Sequence, residues 1–222
     1  MFIYSYIHIN NCSLEENMQQ SSGGKSTKDL ILKASMELFS EYGYKAASVR
    51  KIAAKVGIRE SALYNHFTNK EEIFKAVAAT LFSTPTSPSQ SDKSIAERAK
   101  GGKKFLFSFI VGYKLMTFDA KNERLFRILM IELLQNKTIR ESFKNEFHNN
   151  NIKMLSEAFF VMMQEDIIRS GDPKLMANEF LSPLFYLRLQ VTLLKIDNEP
   201  TTALSTQFEK HLDFFWESIT IG

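Results

Sequence analysis

The chain has 222 residues, 44% hydrophobic and 24% charged, enough apolar content for one large or two modest cores. Its single cysteine, Cys12, excludes an internal disulfide, and His8, His66, His148 and His211 lie too far apart in sequence for a metal-ligand pattern. No apolar run approaches the roughly 20 residues of a membrane span, and the opening MFIYSYIHI lacks the basic start and cleavage site of a signal peptide, so a reducing cytoplasm is expected. The net charge of +3 is unevenly spread: residues 25 to 82 hold ten Lys/Arg against six Asp/Glu, the electrostatic footprint that a phosphate backbone attracts.

Residues 1 to 24 lack sustained periodicity and end in the polar run QQSSGG, which reads as a poorly ordered tail. A first helix is predicted over 27 to 42, with Ser26 or Thr27 as N-cap, Ile31, Ala34, Leu38 and Tyr42 at helical spacing, and Gly43 as its stop. A second helix runs over 48 to 55, with Val49, Ile52, Ala53 and Val56 inward. Gly57 can take a positive φ without strain, so the chain can turn sharply there, place Ile58 between two helices and begin a third over 59 to 65. That third helix turns Ala62 and Leu63 inward and leaves Arg59, Glu60, Ser61, Tyr64 and Asn65 outside. Such a short polar helix on a packed support suits the major groove of duplex DNA. Asn69, with Glu72 three residues on, signals a capping box for a fourth helix that reaches about residue 82, with Ile73, Phe74, Val77 and Leu81 as its stripe.

The Pro/Ser-rich run STPTSPSQSDK, residues 83 to 93, marks a domain boundary. Beyond it, apolar spacing predicts helices around Phe105 to Leu115, over 125 to 134, over 152 to 168, over 175 to 196 after Gly171-Asp172-Pro173, and over 202 to 219. With no alternating stretch long enough to force a sheet, the fold is expected to be all-α: a helix-turn-helix domain over 25 to 74, then a helical domain over 83 to 222.

The order of the first helix, SVRKIAAKVGI, SALYNHF and NKEEIF resembles the N-terminal DNA-binding domain of the TetR family of transcriptional repressors. The resemblance covers about fifty residues strongly and the remainder loosely. It implies a DNA-binding repressor with a ligand-binding and dimerising C-terminal half. By position within the motif, Ser48 is expected to cap the second helix and touch a DNA phosphate, and Tyr64, His66 and Lys70 to contact the phosphate backbone, positioning the protein without reading sequence. Tyr64 can equally be a half-buried spacer, and His66 a capping or packing residue. Base reading falls to Arg59, Glu60, Ser61 and Asn65. Arg59 can pair bidentately with a guanine and Glu60 can accept from a cytosine amine, unless the two balance each other on the surface. Lys51 replaces an acidic residue common in the family.

One such unit reads few base pairs, so specificity requires a homodimer on a palindromic operator. Phe180, Leu184, Leu187 and Val191 form one stripe near the C-terminus and Leu212, Phe215 and Ile219 another, and these are the expected dimer contacts, unless they bury within the subunit. Phe109, Tyr113, Met116, Phe126, Met130, Phe159 and Met163 either fill a core or line an adaptable pocket, and the resemblance implies a pocket for a small molecule there. Glu132, flanked by apolar neighbours, is either a buried carboxylate awaiting a cation or hydroxyl, or a surface residue. No nucleophile–base motif, phosphate loop or metal set is present, so neither an enzyme nor a cofactor is expected. The alternative is an all-α interaction protein whose helix-turn-helix no longer binds DNA.

Overall fold

Residues 26–80 and 94–220 are described in the computed structural model; they are helical, apart from turns and one isolated antiparallel bridge between Ile168 and Thr220. The all-α expectation holds. The tail, residue Leu81 and the Pro/Ser-rich boundary lie outside the described residues. In chain order the helices are α1 (Thr27–Ala46), α2 (Val49–Val56), α3 (Glu60–Leu63), α4 (Lys70–Ala78), α5 (Ile95–Ala99), α6 (Lys103–Phe118), α7 (Ala120–Glu132), α8 (Lys137–Ser142), a π-helical turn (Phe143–Asn149), α9 (Asn150–Gln164), α10 (Pro173–Ile196), α11 (Thr202–Ser205) and α12 (Gln207–Ile219).

The first four helices form the head. Ser26 caps α1 in a reciprocal box with Asp29, satisfying two backbone donors that a helix start leaves unpaired. Ile31, Ala34, Leu38 and Phe39 are buried along α1. Gly43 interrupts the helix, as the sequence suggests: its backbone is non-helical at φ +73°, and a short helical segment follows as far as Ala46. At this kink Tyr42 leaves the apolar stripe that the spacing assigned it and lies exposed, with Lys51 Nζ 5.0 Å from its ring centroid. Ser48 caps α2 by accepting from Lys51 N. At the other end Gly57 sits at φ +79°, where Ile58 N donates to Ala53 O and Gly57 N to Ala54 O, closing the turn. The expected capping box at α4 is only half formed. Asn69 accepts from Glu72 N, but the Glu72 carboxylate reaches past Asn69 to Thr68 N and Oγ1.

The body is built around α6, α9, α10 and α12, with Phe109, Phe159, Phe180 and Phe215 at its centre; the Phe180 and Phe215 rings lie 5.1 Å apart. Asp172 caps α10 through Lys174 N and Leu175 N, and Pro173 occupies the first turn, where its missing N–H costs nothing. Head and body share one apolar cluster: Leu125, Phe126, Ile128 and Leu129 of α7 and Ile139 of α8 pack with Ile31, Phe39, Ile52 and Phe74 of the head. At this joint Tyr44 N donates to Glu132 Oε1 at 2.9 Å, and Glu132 is buried.

Candidate nucleic-acid interface

The geometry around α3 follows from where its apolar residues go. Leu63 and Phe67 are buried in the head and Ala62 is half-buried, so the rest of the segment points outward. Arg59, Glu60, Ser61, Tyr64, Asn65 and His66 are all exposed, Tyr64 at 47%. Helical structure stops at Leu63, two residues short of the expected end. Asn65 N and His66 N then bond to Ala62 O and Leu63 O in tight turns that swing Phe67 into the core. Among the described residues no ion pair joins Arg59 to Glu60, and no hydrogen bond holds the His66 ring, so these side chains are uncommitted. Ser48 is exposed at the start of α2 with its Oγ on Lys51 N. Arg50 and Lys51 are exposed beside it, and Lys55 is paired with Glu37 at 3.0 Å.

Lys70 is placed differently from the other three expected phosphate contacts. It is half-buried, and its Nζ donates to Tyr44 O at 2.8 Å and Ala47 O at 2.9 Å while lying 4.3 Å from the Tyr44 ring centroid. Two of its three ammonium protons therefore tie α4 to the end of α1, and one remains for an anion. Arg50 went unremarked in the sequence, although its place in the SVRK run, two residues beyond the Ser48 cap, was a readable signal.

Residues 31–77 match the model of bacterial regulatory proteins of the tetR family. IcaR of Staphylococcus epidermidis, the negative transcriptional regulator of the biofilm operon icaADBC, is 27% identical over 146 residues, 66% of this chain and 70% of IcaR. Residues 31–77 thus carry the N-terminal domain of the TetR family. UidR, a helix-turn-helix transcriptional regulator of Escherichia coli, is 37% identical over 62 residues, a match spanning 28% of this chain and 31% of UidR. The SmeT–triclosan complex superposes with a TM-score of 0.63 at 18% identity, covering 89% of this chain and 93% of SmeT, and so shares the fold.

The relatives that the chain matches are transcriptional regulators. Among the described residues no group of three or more His, Cys, Asp or Glu is placed to hold a metal, and no helix is long and apolar enough to cross a membrane.

Two expectations about the body need correction. Phe180, Leu184, Leu187, Val191, Leu212, Phe215 and Ile219, the expected dimer contacts, are all buried in the chain's own core, from 0% exposed at Phe180, Leu184 and Val191 to 9% at Leu187. Helical spacing marks a buried face without saying whose atoms bury it, and α6 and α9 already cover these stripes. The large apolar side chains left outside on the same two helices are Leu175, Tyr186, Leu193, Ile196 and Phe214, at 57%, 58%, 51%, 50% and 75%. The expected pocket residues also divide. Phe109, Tyr113, Met116, Phe159 and Met163 belong to the body cluster, whereas Phe126 and Met130 pack in the cluster shared with the head, and Glu132 is committed to Tyr44 N. What joins the two groups is a residue the sequence reading passed over: Arg188 of α10 is 6% exposed, and its guanidinium carbon lies 4.3 Å from the Phe126 centroid and 6.0 Å from that of Tyr113.

Proposed function

We propose that this regulator is a homodimeric repressor that binds a palindromic operator in double-stranded DNA and is released by a small molecule, working in the cytoplasm. The observation that carries the reading is the outer surface of α3 and its following turn: six polar side chains exposed in sequence on a base locked by Leu63 and Phe67. Arg59, Glu60, Ser61 and Asn65 read base edges, with Arg59 on a guanine. Ser48, Tyr64 and His66 hold the phosphate backbone, joined by the remaining proton of Lys70.

The functional division follows the sequence expectation, a DNA head over 25 to 74 and a regulatory body from 83 onward. Two bodies meet through the outer faces of α10 and α12, where Tyr186, Leu193 and Phe214 offer apolar area to a second copy. Repression is supported by IcaR, a negative regulator, and ligand control by SmeT, which binds triclosan. Ligand binding between α6, α7 and α10 moves α7, and α7 carries Glu132 at the Tyr44 joint and the apolar residues packed on α1. By linkage, DNA lowers ligand affinity by the same factor as ligand lowers DNA affinity.

Selection from random duplexes with the full chain tests this reading. A palindrome of two half-sites about one helical turn apart is expected. Recovery of no enriched motif overturns it.

A further inference from the structure

Arg188 poses a problem of charge. Its guanidinium is buried between α6, α7 and α10, yet no carboxylate among the described residues lies within ion-pair distance of it. Nη2 donates to Asn122 O at 3.2 Å, Nη1 faces the Met116 thioether at 3.7 Å, the Tyr113 hydroxyl lies beside the guanidinium, and Nε has no hydrogen-bond partner among the described residues. Glu123, one residue along from Asn122, is held by Arg127 Nε. Burial pushes the Arg188 pKa down, opposed by Tyr113 and Glu123, although an arginine stays charged in any such setting. Leaving a cation buried without a counter-charge is costly, because one backbone carbonyl, the Tyr113 hydroxyl, the weak thioether contact and the Phe126 face replace only part of its lost hydration.

Resting on the reading of ligand control above, the geometry points to Arg188 as the anchor for an organic monoanion, a carboxylate carried on an apolar or aromatic body. The carboxylate is accepted at the unpartnered Nε and at Nη1 in place of the thioether, a charge-assisted pair of matched planar shape. Tyr113, Met116 and Phe126 contact the apolar body, with the flexible Met116 giving way. A dianion such as phosphate is disfavoured, since it leaves net negative charge in an apolar enclosure. Because Phe126 lies under the guanidinium and also packs in the cluster shared with the head, occupancy of this site bears directly on α7 and hence on the Glu132–Tyr44 joint.

The test is thermal melting of the full chain, wild type and Arg188→Met, with benzoate, cinnamate and octanoate, each set against its neutral amide. At about 100 times the Kd an acid is expected to raise the wild-type Tm by roughly 5–10 °C, with its amide giving much less. Without any probe, Arg188→Met is expected to melt at or above the wild-type temperature, since it removes an uncompensated buried charge, and to lose the response to acids. If an amide matches its acid, or if Arg188→Met keeps the acid response, the anion anchor falls while ligand control stands. If Arg188→Met alone lowers the Tm by several degrees, Arg188 is a structural strut and the proposal is overturned. If no compound of either charge shifts the wild type, the anchor falls as well, and whether ligand control falls with it is read separately, from DNA release by a library of neutral and cationic compounds.

Discussion

Replacing Glu132 with alanine attacks the joint between head and body, and the structure sets its size. The Glu132 carboxylate is 7% exposed and accepts the Tyr44 backbone N–H at 2.9 Å. Its loss strands that donor in a half-buried setting, at about 1–3 kcal/mol, and deletes one packed methylene, at about 0.8 kcal/mol. Relief of the carboxylate's own desolvation offsets part of this, leaving a net destabilisation of about 2 kcal/mol. For a chain of this size that is a fall in Tm of roughly 4–8 °C. Glu132→Gln keeps the side-chain shape and a carbonyl acceptor while exchanging a charge-assisted bond for a neutral one, so it is expected to lose about 1 kcal/mol. Urea unfolding of the three proteins, checked for equal slopes, measures the order wild type, Gln, Ala. In fluorescence anisotropy the Ala protein is expected to hold DNA with a smaller change in affinity on adding a ligand, because the ligand no longer acts on the head through a fixed bond. An Ala protein within 0.5 kcal/mol of wild type, or a Gln protein as damaged as the Ala protein, refutes the reasoning.

At the same joint, Gly43→Ala is expected to destabilise: φ is +73°, and the added Cβ meets Ile131 Cγ2 at 3.1 Å, so a cost of at least about 1–2 kcal/mol should appear in the same unfolding experiment. Phe214→Asp, on a side chain 75% exposed, is expected to convert dimer to monomer in analytical ultracentrifugation with little change in the fold; Leu184→Ala, fully buried, should instead cost about 2–5 kcal/mol of stability. His211 donates Nε2–H to Phe180 O at 2.9 Å, and its burial pushes its pKa below the usual histidine value. The unfolded chain thus binds a proton more readily than the folded one, so the stability His211 contributes is present above about pH 6.5 and is lost as pH falls below it. The Tm difference between pH 7.5 and 5.5 is expected to shrink in His211→Gln.

Local signals in the sequence carried the head well, because caps and turns act within four or five residues. Ser26, Ser48, Asn69 and Gly57 each do what the sequence assigned to them at the backbone. The details that escaped are those set by partners far along the chain. Lys70 read as a free cation because nothing nearby showed that Tyr44 O and Ala47 O would take it, and Glu132 read as ambiguous because its partner lies 88 residues away. In the body, the spacing of Phe180, Leu184, Leu187 and Val191 correctly marked a buried face, but periodicity alone does not distinguish a subunit core from an interface. Arg188 was invisible for the opposite reason: a charged residue within an apolar run looks like an outer position until a fold buries it.

Whether the outer surface of α3 reads DNA is decided by fluorescence anisotropy of the full chain on labelled duplex from its own upstream region at 50 mM and 200 mM salt, for wild type, Tyr64→Phe and Arg59→Ala. Tight binding that weakens by about 10³-fold or more between the two salt concentrations is expected. Tyr64→Phe should weaken binding to all duplexes alike, while Arg59→Ala should cost about 1–3 kcal/mol and relax the preference at one base pair. Binding that equals that of an unrelated duplex and does not respond to either substitution contradicts the account.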